Sequence, residues 1–267
     1  KELNDSRKNL TVAGFEQAVE RIENSSIKDD KVLLVLLEDC HESLVGIIAG
    51  RVKEKYHKPA IVFTRVEDHC VKGSGRSIEA YNMFMELTRQ KGLLERFGGH
   101  PMAAGLTLKE ENLEALRENL NQASTLTARD FIPVVRIDVP MPVGYATKDF
   151  IRQLELLEPF GKGNSKPVFA EKYFRILDAR VFGKNQNVLK MTVMDDYKTS
   201  MEAIYFGDIP AFKAFIEEEF GREECSRMFN GRSNHVEIAM TYYPDINEYM
   251  GKETIQMVVT GYCRIPR

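Results

Sequence analysis

Residues 31–37 read Lys-Val-Leu-Leu-Val-Leu-Leu, and residues 59–64 read Pro-Ala-Ile-Val-Phe-Thr. Both runs are short and almost wholly apolar, which is typical of strands that are buried on both faces. A helix is predicted between them over residues 44–56. Its inward positions are Leu44, Ile47, Ile48 and Val52. Strand, helix and strand in this order predict a βαβ unit, and therefore an α/β domain whose mixed sheet has flanking helices.

The segments around this unit are predicted from periodicity and from glycine. A helix is expected over residues 1–25, and because the chain begins inside it with Lys1 we expect a piece of a longer protein. Its apolar positions are Val12, Phe15, Val19 and Ile22. Residues 72–77 are expected to form a turn and residues 97–105 a tight loop, because both are dense in small residues. A helix over residues 78–90 is expected between them.

A further helix should follow a capping box formed by Thr107 and Glu110. Its buried stripe comprises Leu113, Leu116 and Leu120. Residues 124–128 are small and polar and are interpreted as a linker. A helix over residues 147–157 and then five or six short strands, with one inserted helix over residues 209–220, predict a small β-barrel.

Composition limits the classes of function. The 267 residues suit one large or two medium domains, and the net charge of −3 gives no overall basic field, so any nucleic-acid binding must come from a local patch. The four cysteines form no CxxC pair, which argues against a zinc site or a disulfide framework and favours a reducing cytoplasm. No apolar run is long enough to span a bilayer and no signal peptide is visible, so no membrane partner is predicted.

The first candidate site is Gly73-Ser74-Gly75-Arg76-Ser77. Two glycines allow a sharp turn in which several N–H groups point one way, and such a concavity suits a phosphate. Arg76 can add a bidentate fork, and the two serine hydroxyls add donors. The competing interpretation is a plain turn with a surface arginine.

The second candidate is Gly98-Gly99-His100, where glycines permit close backbone approach and an imidazole follows. His100 is expected to contact a phosphate or to assist proton transfer, unless it only satisfies a packed loop. His41 and Glu42 follow a predicted strand, which is where ligands bind in α/β sheets. For these two residues a simple helix start is the favoured interpretation.

A basic run in the second half is the third candidate. Its cations are Lys162, Lys166, Lys172, Arg175, Arg180, Lys184 and Lys190. The interleaved aromatics are Phe169, Tyr173, Phe174 and Phe182. Cations for phosphates and aromatic rings for bases on one barrel face predict a track for single-stranded nucleic acid. Strand alternation predicts that some of these rings belong to the core instead. No DxD or HxxxH pattern is present, and no metal ligands are predicted in this chain.

Together these residues resemble the RecJ family. His-Glu-Ser-Leu-Val-Gly-Ile-Ile-Ala at 41–49, Gly-Ser-Gly-Arg-Ser at 73–77 and Phe-Gly-Gly-His-Pro-Met-Ala-Ala-Gly at 97–105 are similar to its DHH-associated domain. Leu-Glu-Pro-Phe-Gly-Lys-Gly-Asn at 157–164 is similar to the element that leads into its OB-fold. The resemblance implies a linker helix from a missing DHH domain over residues 1–28, a DHH-associated α/β domain over 29–125 and an OB-fold β-barrel domain with its lead-in helix over 126–267.

The resemblance also implies a function. RecJ is a 5′-to-3′ single-stranded-DNA exonuclease of DNA repair and recombination whose DHH domain binds two Mn²⁺ or Mg²⁺ ions. On this basis Gly73, Ser74, Gly75, Arg76, Ser77, Gly98, Gly99 and His100 are expected to bind substrate, with His100 in a supporting catalytic role. The expected partners are single-stranded DNA, the DHH domain of the same chain and, among proteins, single-strand-binding protein or other repair proteins. The isolated chain is expected to be cytoplasmic and inactive as a nuclease.

Three alternatives stay open. Another DHH-family phosphodiesterase that acts on short oligonucleotides would share the glycine-histidine motif but not the barrel. A non-catalytic module for nucleic-acid or protein interaction would share both domains. The editing domain of alanyl-tRNA synthetases carries a similar element but needs a zinc-ligand set that is not visible in this sequence.

Overall fold

The computed structural model describes residues 2–161 and 163–265. The chain divides into two compact units, Lys1–Val134 and Val135–Arg267. The first unit has two hydrophobic cores, one on each face of its sheet, and the second unit has one. Within the described part of the chain, no helix has both the length and the apolar character that crossing a membrane requires.

The first unit is a five-stranded mixed sheet between two layers of helix. Its elements are α1 (Glu2–Glu23), β1 (Leu33–Leu37), α2 (Glu42–Tyr56), β2 (Ala60–Val66), β3 (Cys70–Arg76), α3 (Met83–Arg89), β4 (Arg96–His100), β5 (Ala103–Lys109) and α4 (Leu113–Ala123). The strand order is β1-β2-β3-β5-β4. The β1–β2 pair is parallel and the other pairs are antiparallel. The predicted α/β class and the βαβ unit are therefore confirmed.

The two faces of this sheet are covered by different helices. On one face Val35 and Val62 pack with Ile48 of α2 and Ile22 of α1. On the other face the core includes Ile61 and Phe63, together with side chains from α3 and α4: Met83, Leu87, Leu116 and Leu120. Alternation along the buried strands sends successive side chains to these two cores, as the uninterrupted apolar runs predict.

Both glycine-rich segments were predicted wrongly as turns or loops. Residues 72–76 lie inside β3, and residues 97–105 form the hairpin of β4 and β5. Small residues are needed here for packing: a Cβ on Gly73 would lie 2.4 Å from the Phe63 ring, and one on Gly99, whose φ is +151°, would lie 2.3 Å from the Ala103 carbonyl oxygen. Glycine therefore marks close packing within a sheet here rather than a break in it.

Two helix starts also differ from prediction. The helix expected from residue 78 begins at Met83, where the Asn82 side chain accepts a hydrogen bond from the Met85 N–H. Thr107 lies in β5 and caps no helix; a short 3-10 turn at Glu110–Asn112 precedes α4. The spacing of Thr107 and Glu110 favours a helix start, but pairing of β5 with β3 along its whole length keeps Thr107 in the strand.

The second unit is a barrel with helical additions. Its elements are β6 (Val139–Pro140), α5 (Lys148–Glu155), β7 (Phe169–Phe182), β8 (Val188–Asp195), β9 (Ser200–Tyr205), α6 (Ile209–Phe220), α7 (Arg222–Phe229), β10 (Glu237–Tyr249) and β11 (Lys252–Cys263). The sheet runs β10-β11-β9-β8-β7-β6, and pairing of β10 with β7 closes five strands into a barrel. The predicted OB-type barrel is confirmed, and the inserted helix spans the predicted residues 209–220.

Candidate nucleic-acid interface

One face of the first sheet brings together four of the eight substrate-binding residues that were predicted in this unit. Directly paired residues of antiparallel strands point to the same face. Pairing across β3, β5 and β4 gives three rows: Arg76–Ala103–His100, Ser74–Gly105–Gly98 and Lys72–Thr107–Arg96. Arg76 and Ser74 also pair with Ala60 and Val62 of β2, whose side chains belong to the core beneath α2. The three rows therefore lie on the α2 side of the sheet.

The β4–β5 part of this face is open. Gly98 and Gly105, which pair with each other, are exposed, as are Arg96 and His100. A Cβ built on either glycine would meet no atom within 4 Å, and neither glycine has a positive φ. Packing within the chain does not require these two glycines. They form a patch of bare backbone, the glycine floor, that a ligand can approach closely.

Arg76 is held in place beside this floor. Its Nη1 donates to Ser74 Oγ at 3.0 Å and to the Gly75 carbonyl oxygen at 2.8 Å. Gly46 of α2 gives it room, because a Cβ there would lie 3.0 Å from Arg76 Nη2. A guanidinium has five N–H donors, so the Nε and Nη2 groups are left to bind an anion as a fork.

His100 lies in the same row as Arg76, at the end of β4. Its Nδ1 accepts a hydrogen bond from the Met102 N–H at 3.3 Å. In the neutral ring an accepting Nδ1 places the proton on Nε2. Exposed Nε2 is then a donor, and it suits an anion better than it suits a general base.

The interpretation of residues 73–77 as a loop that cradles an anion with its N–H groups is wrong. The N–H groups of residues 73–76 belong to β3, which pairs on both sides, and the Ser77 N–H donates to the Met102 carbonyl oxygen at 2.9 Å. Gly75 packs on Met83, and buried Ser77 donates to the Tyr81 carbonyl oxygen at 2.6 Å. Together with Gly73 and Gly99, these residues shape the sheet rather than face its open side. The predicted residues that share the α2 side of the sheet are Ser74, Arg76, Gly98 and His100. The two on β3 are half-buried beside α2, and the two on β4 are exposed.

Sequence reasoning did not single out Lys72, Arg96 and Gly105 as site residues. Alternation along β3 places Lys72 on the same face as Ser74 and Arg76, and a strand interpretation of these residues would have found it. Lys72 Nζ lies 2.7 Å from Glu42 Oε2, and this hydrogen bond holds the pKa of Glu42 below its usual range.

The favoured helix-start interpretation of His41 and Glu42 agrees with the geometry. His41 is the N-cap of α2, and its Nδ1 accepts a hydrogen bond from the Ser43 N–H at 3.2 Å. Glu42 lies in the first turn, at the positive end of the helix dipole.

The residues of the basic run lie in several different parts of the barrel unit. Arg180 and Lys190 are directly opposite each other on β7 and β8, and Lys184 lies in the turn between these strands. Phe182, 48% exposed, is two residues from Arg180 on the same strand face. Lys190 also forms an ion pair with Glu202 at 2.6 Å. These residues offer charge and one ring on one side of the barrel.

The other members of the run lie apart from this group or have other contacts. Arg175 donates to the Asn234 carbonyl oxygen at 2.9 Å, and Lys166 Nζ lies 3.6 Å from the centre of the Tyr243 ring. Lys172 is exposed near Tyr173. Phe169 and Phe174 are core residues of the barrel, as the alternation predicted. Lys162 lies outside the described residues.

Family comparisons follow the same division of the chain. The family model of the DHHA1 domain matches residues 29–125, and that of the RecJ OB domain matches residues 137–261. The chain belongs to the RecJ family. The resemblance inferred from the sequence motifs is thereby confirmed.

Curated relatives agree with this assignment. The single-stranded-DNA-specific exonuclease RecJ of Bacillus subtilis is 35% identical over 198 residues, which are 73% of this chain and 25% of that protein. RecJ of Escherichia coli is 28% identical over 267 residues, 96% of this chain and 43% of that protein. The chain thus spans a quarter to less than half of the length of these relatives.

A solved structure has the same fold. The crystal structure of Thermus thermophilus RecJ in complex with Mg²⁺ aligns with a TM-score of 0.72 at 22% identity, over all of this chain and 37% of that one. The same protein in complex with Mn²⁺ gives 0.71. In residues 2–161 and 163–265 there is no group of three His, Cys, Asp or Glu side chains placed to hold such an ion. The residues described here therefore do not fit a metal centre, and no chemical step is assigned to one.

Proposed function

We propose that this chain is the substrate-holding part of a single-strand-specific 5′-to-3′ DNA exonuclease of repair and recombination. The observation that carries the proposal is the row of Arg76 and His100 beside the glycine floor. The named activity of the relatives supports the choice of single-stranded DNA as the polymer. Hydrolysis is assigned to a Mn²⁺- or Mg²⁺-binding DHH domain of the full-length cytoplasmic protein.

The geometry suits a phosphodiester backbone. Arg76 presents Nε and Nη2 as a fork for two phosphate oxygens, and His100 Nε2 adds a donor in the same row. The bare floor between the strands lets the sugar-phosphate chain lie close to the sheet, where partial desolvation strengthens each hydrogen bond. His100 is assigned to phosphate contact, and Arg76 stabilises the negative charge of the phosphate group.

On the barrel, the group of Arg180, Lys184, Lys190 and Phe182 is assigned to the same substrate. Its cations neutralise phosphates, and the half-exposed Phe182 ring provides a stacking surface for an unpaired base. Bases in a duplex are already stacked and paired, so a ring of this kind favours a single strand. Binding of protein partners, such as single-strand-binding protein, is proposed for the full-length protein.

The test is a fluorescence-anisotropy titration of the chain with a labelled single-stranded oligonucleotide and with its duplex, at several salt concentrations. We expect preference for the single strand and an affinity that falls with salt. The Arg76→Ala substitution should weaken binding and lower the salt slope by about 0.7, the value for one phosphate contact on a single strand. Equal affinity of Arg76→Ala and the unsubstituted chain would refute the assignment.

A second arm tests the assignment of hydrolysis. The purified chain is incubated with the labelled single strand and Mn²⁺ or Mg²⁺, and the products are separated by length. We expect no shortening of the strand. Shortening that follows the chain through every purification step would contradict the placement of the chemistry in another domain.

A further inference from the structure

A third row extends the open face beyond the glycine floor. Lys72, Thr107 and Arg96 each lie two residues along their strand from Ser74, Gly105 and Gly98, in the direction away from Arg76 and His100. Two residues of an antiparallel strand cover about 6.8 Å, so this row lies roughly 14 Å from the row of Arg76 and His100. Lys72 and Arg96 are exposed and Thr107 is half-buried. The face therefore has cations at both ends and bare backbone in the middle.

We propose that Lys72 and Arg96 form a second anion position for the same nucleic-acid strand, whose backbone runs along β3, β5 and β4 rather than across them. The inference rests on the proposed function, which concerns the first position alone. A strand that crossed the sheet at right angles would meet one cationic row and miss the other. A strand that follows the β-strands meets both rows, because its phosphates repeat at a spacing close to the two-residue repeat of the sheet.

The residues around Arg96 limit how far the nucleic-acid strand can extend along this face. Arg96 and Thr107 line an open cleft of about 620 Å³ at the far end of the sheet. The other lining residues include Glu67, Asp68, Glu95 and Lys109. Three carboxylates against one further lysine repel a polyanion. The row of Lys72 and Arg96 is therefore the last anion position on this face.

Glu42 makes the second position weaker than the first. Its carboxylate lies 2.7 Å from Lys72 Nζ, and both side chains are about half exposed. A phosphate that binds Lys72 must displace this carboxylate or accept it as a close neighbour of like charge. Removal of the Glu42 charge should accordingly strengthen binding, and it should do so through Lys72.

The experiment compares anisotropy titrations of single-residue variants with a thymidine oligonucleotide of about 16 nucleotides, the upper site size of an OB fold. Arg96→Ala and Lys72→Ala are each expected to weaken binding several-fold and to lower the salt slope by about 0.7. Lys91→Ala is the matched control, because exposed Lys91 follows α3 on the other side of the sheet. It should change neither quantity.

A double-mutant cycle then locates the effect. Glu42→Gln should raise the affinity of the unsubstituted chain and leave that of Lys72→Ala unchanged, since the two effects share one contact. Thermal midpoints check that each exposed variant is folded.

The outcomes separate the two proposals. If Arg76→Ala weakens binding while Arg96→Ala and Lys72→Ala behave like Lys91→Ala, the second position is wrong and the proposed function stands. If no variant changes the affinity, or the chain binds no oligonucleotide, the proposed function fails and the second position fails with it.

Discussion

The position of Arg76 depends on a single glycine in the helix above it. A Cβ on Gly46 would lie 3.0 Å from Arg76 Nη2 and 3.1 Å from Ser74 Oγ. Both neighbours are ends of flexible side chains, so an alanine would move the guanidinium rather than break the helix. Ser74 would lose its place as the acceptor that orients Nη1. Gly46 thus affects the proposed anion site through the position of Arg76.

We expect Gly46→Ala to separate stability from binding. Replacing a helix-interior glycine with alanine stabilises a helix by about 1 kcal/mol, so the thermal midpoint should not fall. Affinity for single-stranded DNA should fall, because the guanidinium is displaced. Gly50→Ala is the matched control: Gly50 lies in the same helix, and a Cβ there meets nothing within 4 Å. A Gly46→Ala chain that binds as tightly as Gly50→Ala would contradict this account of Arg76.

Among secondary-structure elements, strand β3 and the β4–β5 hairpin show where sequence reasoning stopped. The apolar runs of β1 and β2 and the helical period of α2 could be predicted, because their side chains carry the signal. The glycines of β3 and β4 have no side chain, so their role depends on what lies opposite, such as the Phe63 ring beneath Gly73. That partner is distant in sequence, and local rules read the same glycines as turns.

The site residues could be predicted from the sequence only in part, for the same reason. Arg76, Ser74, Gly98 and His100 were found from their residue types and from family motifs. Lys72, Arg96 and Gly105 were not, because their membership depends on the pairing register of three strands. The register is fixed by the burial of Leu106 and Leu108 against Phe63 and Val71, which no local pattern reveals.

Two glycines on adjacent strands should therefore respond oppositely to alanine. In Gly73→Ala the new Cβ meets the buried Phe63 ring, and overpacking of this kind costs about 1–3 kcal/mol of unfolding free energy. In Gly105→Ala the Cβ meets nothing, and stability should hold or rise by roughly 0.5–1 kcal/mol. Binding should fall in Gly105→Ala, since the methyl group projects from the floor. Denaturant unfolding and anisotropy measure the two effects; an unchanged affinity in Gly105→Ala would mean that the floor is not a contact surface.

Over the whole chain, the net charge does not indicate a polyanionic partner. Lys and Arg number 37 against 40 Asp and Glu, so the net field is slightly repulsive. Many cations are neutralised locally, as Arg65 is by Glu110 and Lys148 is by Glu253. Salt screens the attraction between exposed charges beyond about one Debye length, roughly 8 Å at physiological salt. Arg76 and Arg96 therefore matter more than the net charge, because they can lie within this distance of a bound phosphate. Binding should therefore be steeply sensitive to single charges on the open face.

The same ion pairs predict how stability depends on pH. Hydrogen bonds from Lys72, Arg65 and Lys148 hold the pKa values of Glu42, Glu110 and Glu253 below their usual range. Unfolding returns each carboxyl to about 4.3, so the unfolded chain binds protons more readily there. The stabilisation is present above pH 4.3 or so and is lost as the pH falls through the lower folded values.

Thermal midpoints measured from about pH 7 to about pH 3 should thus be level at first and then fall, with the fall reduced in high salt because these carboxylates are exposed. The triple variant Glu42→Gln, Glu110→Gln and Glu253→Gln tests the cause. It should lose stability at neutral pH and show a shallower fall on acidification than the unsubstituted chain. An identical fall in both proteins would mean that other carboxyl groups control the acid response.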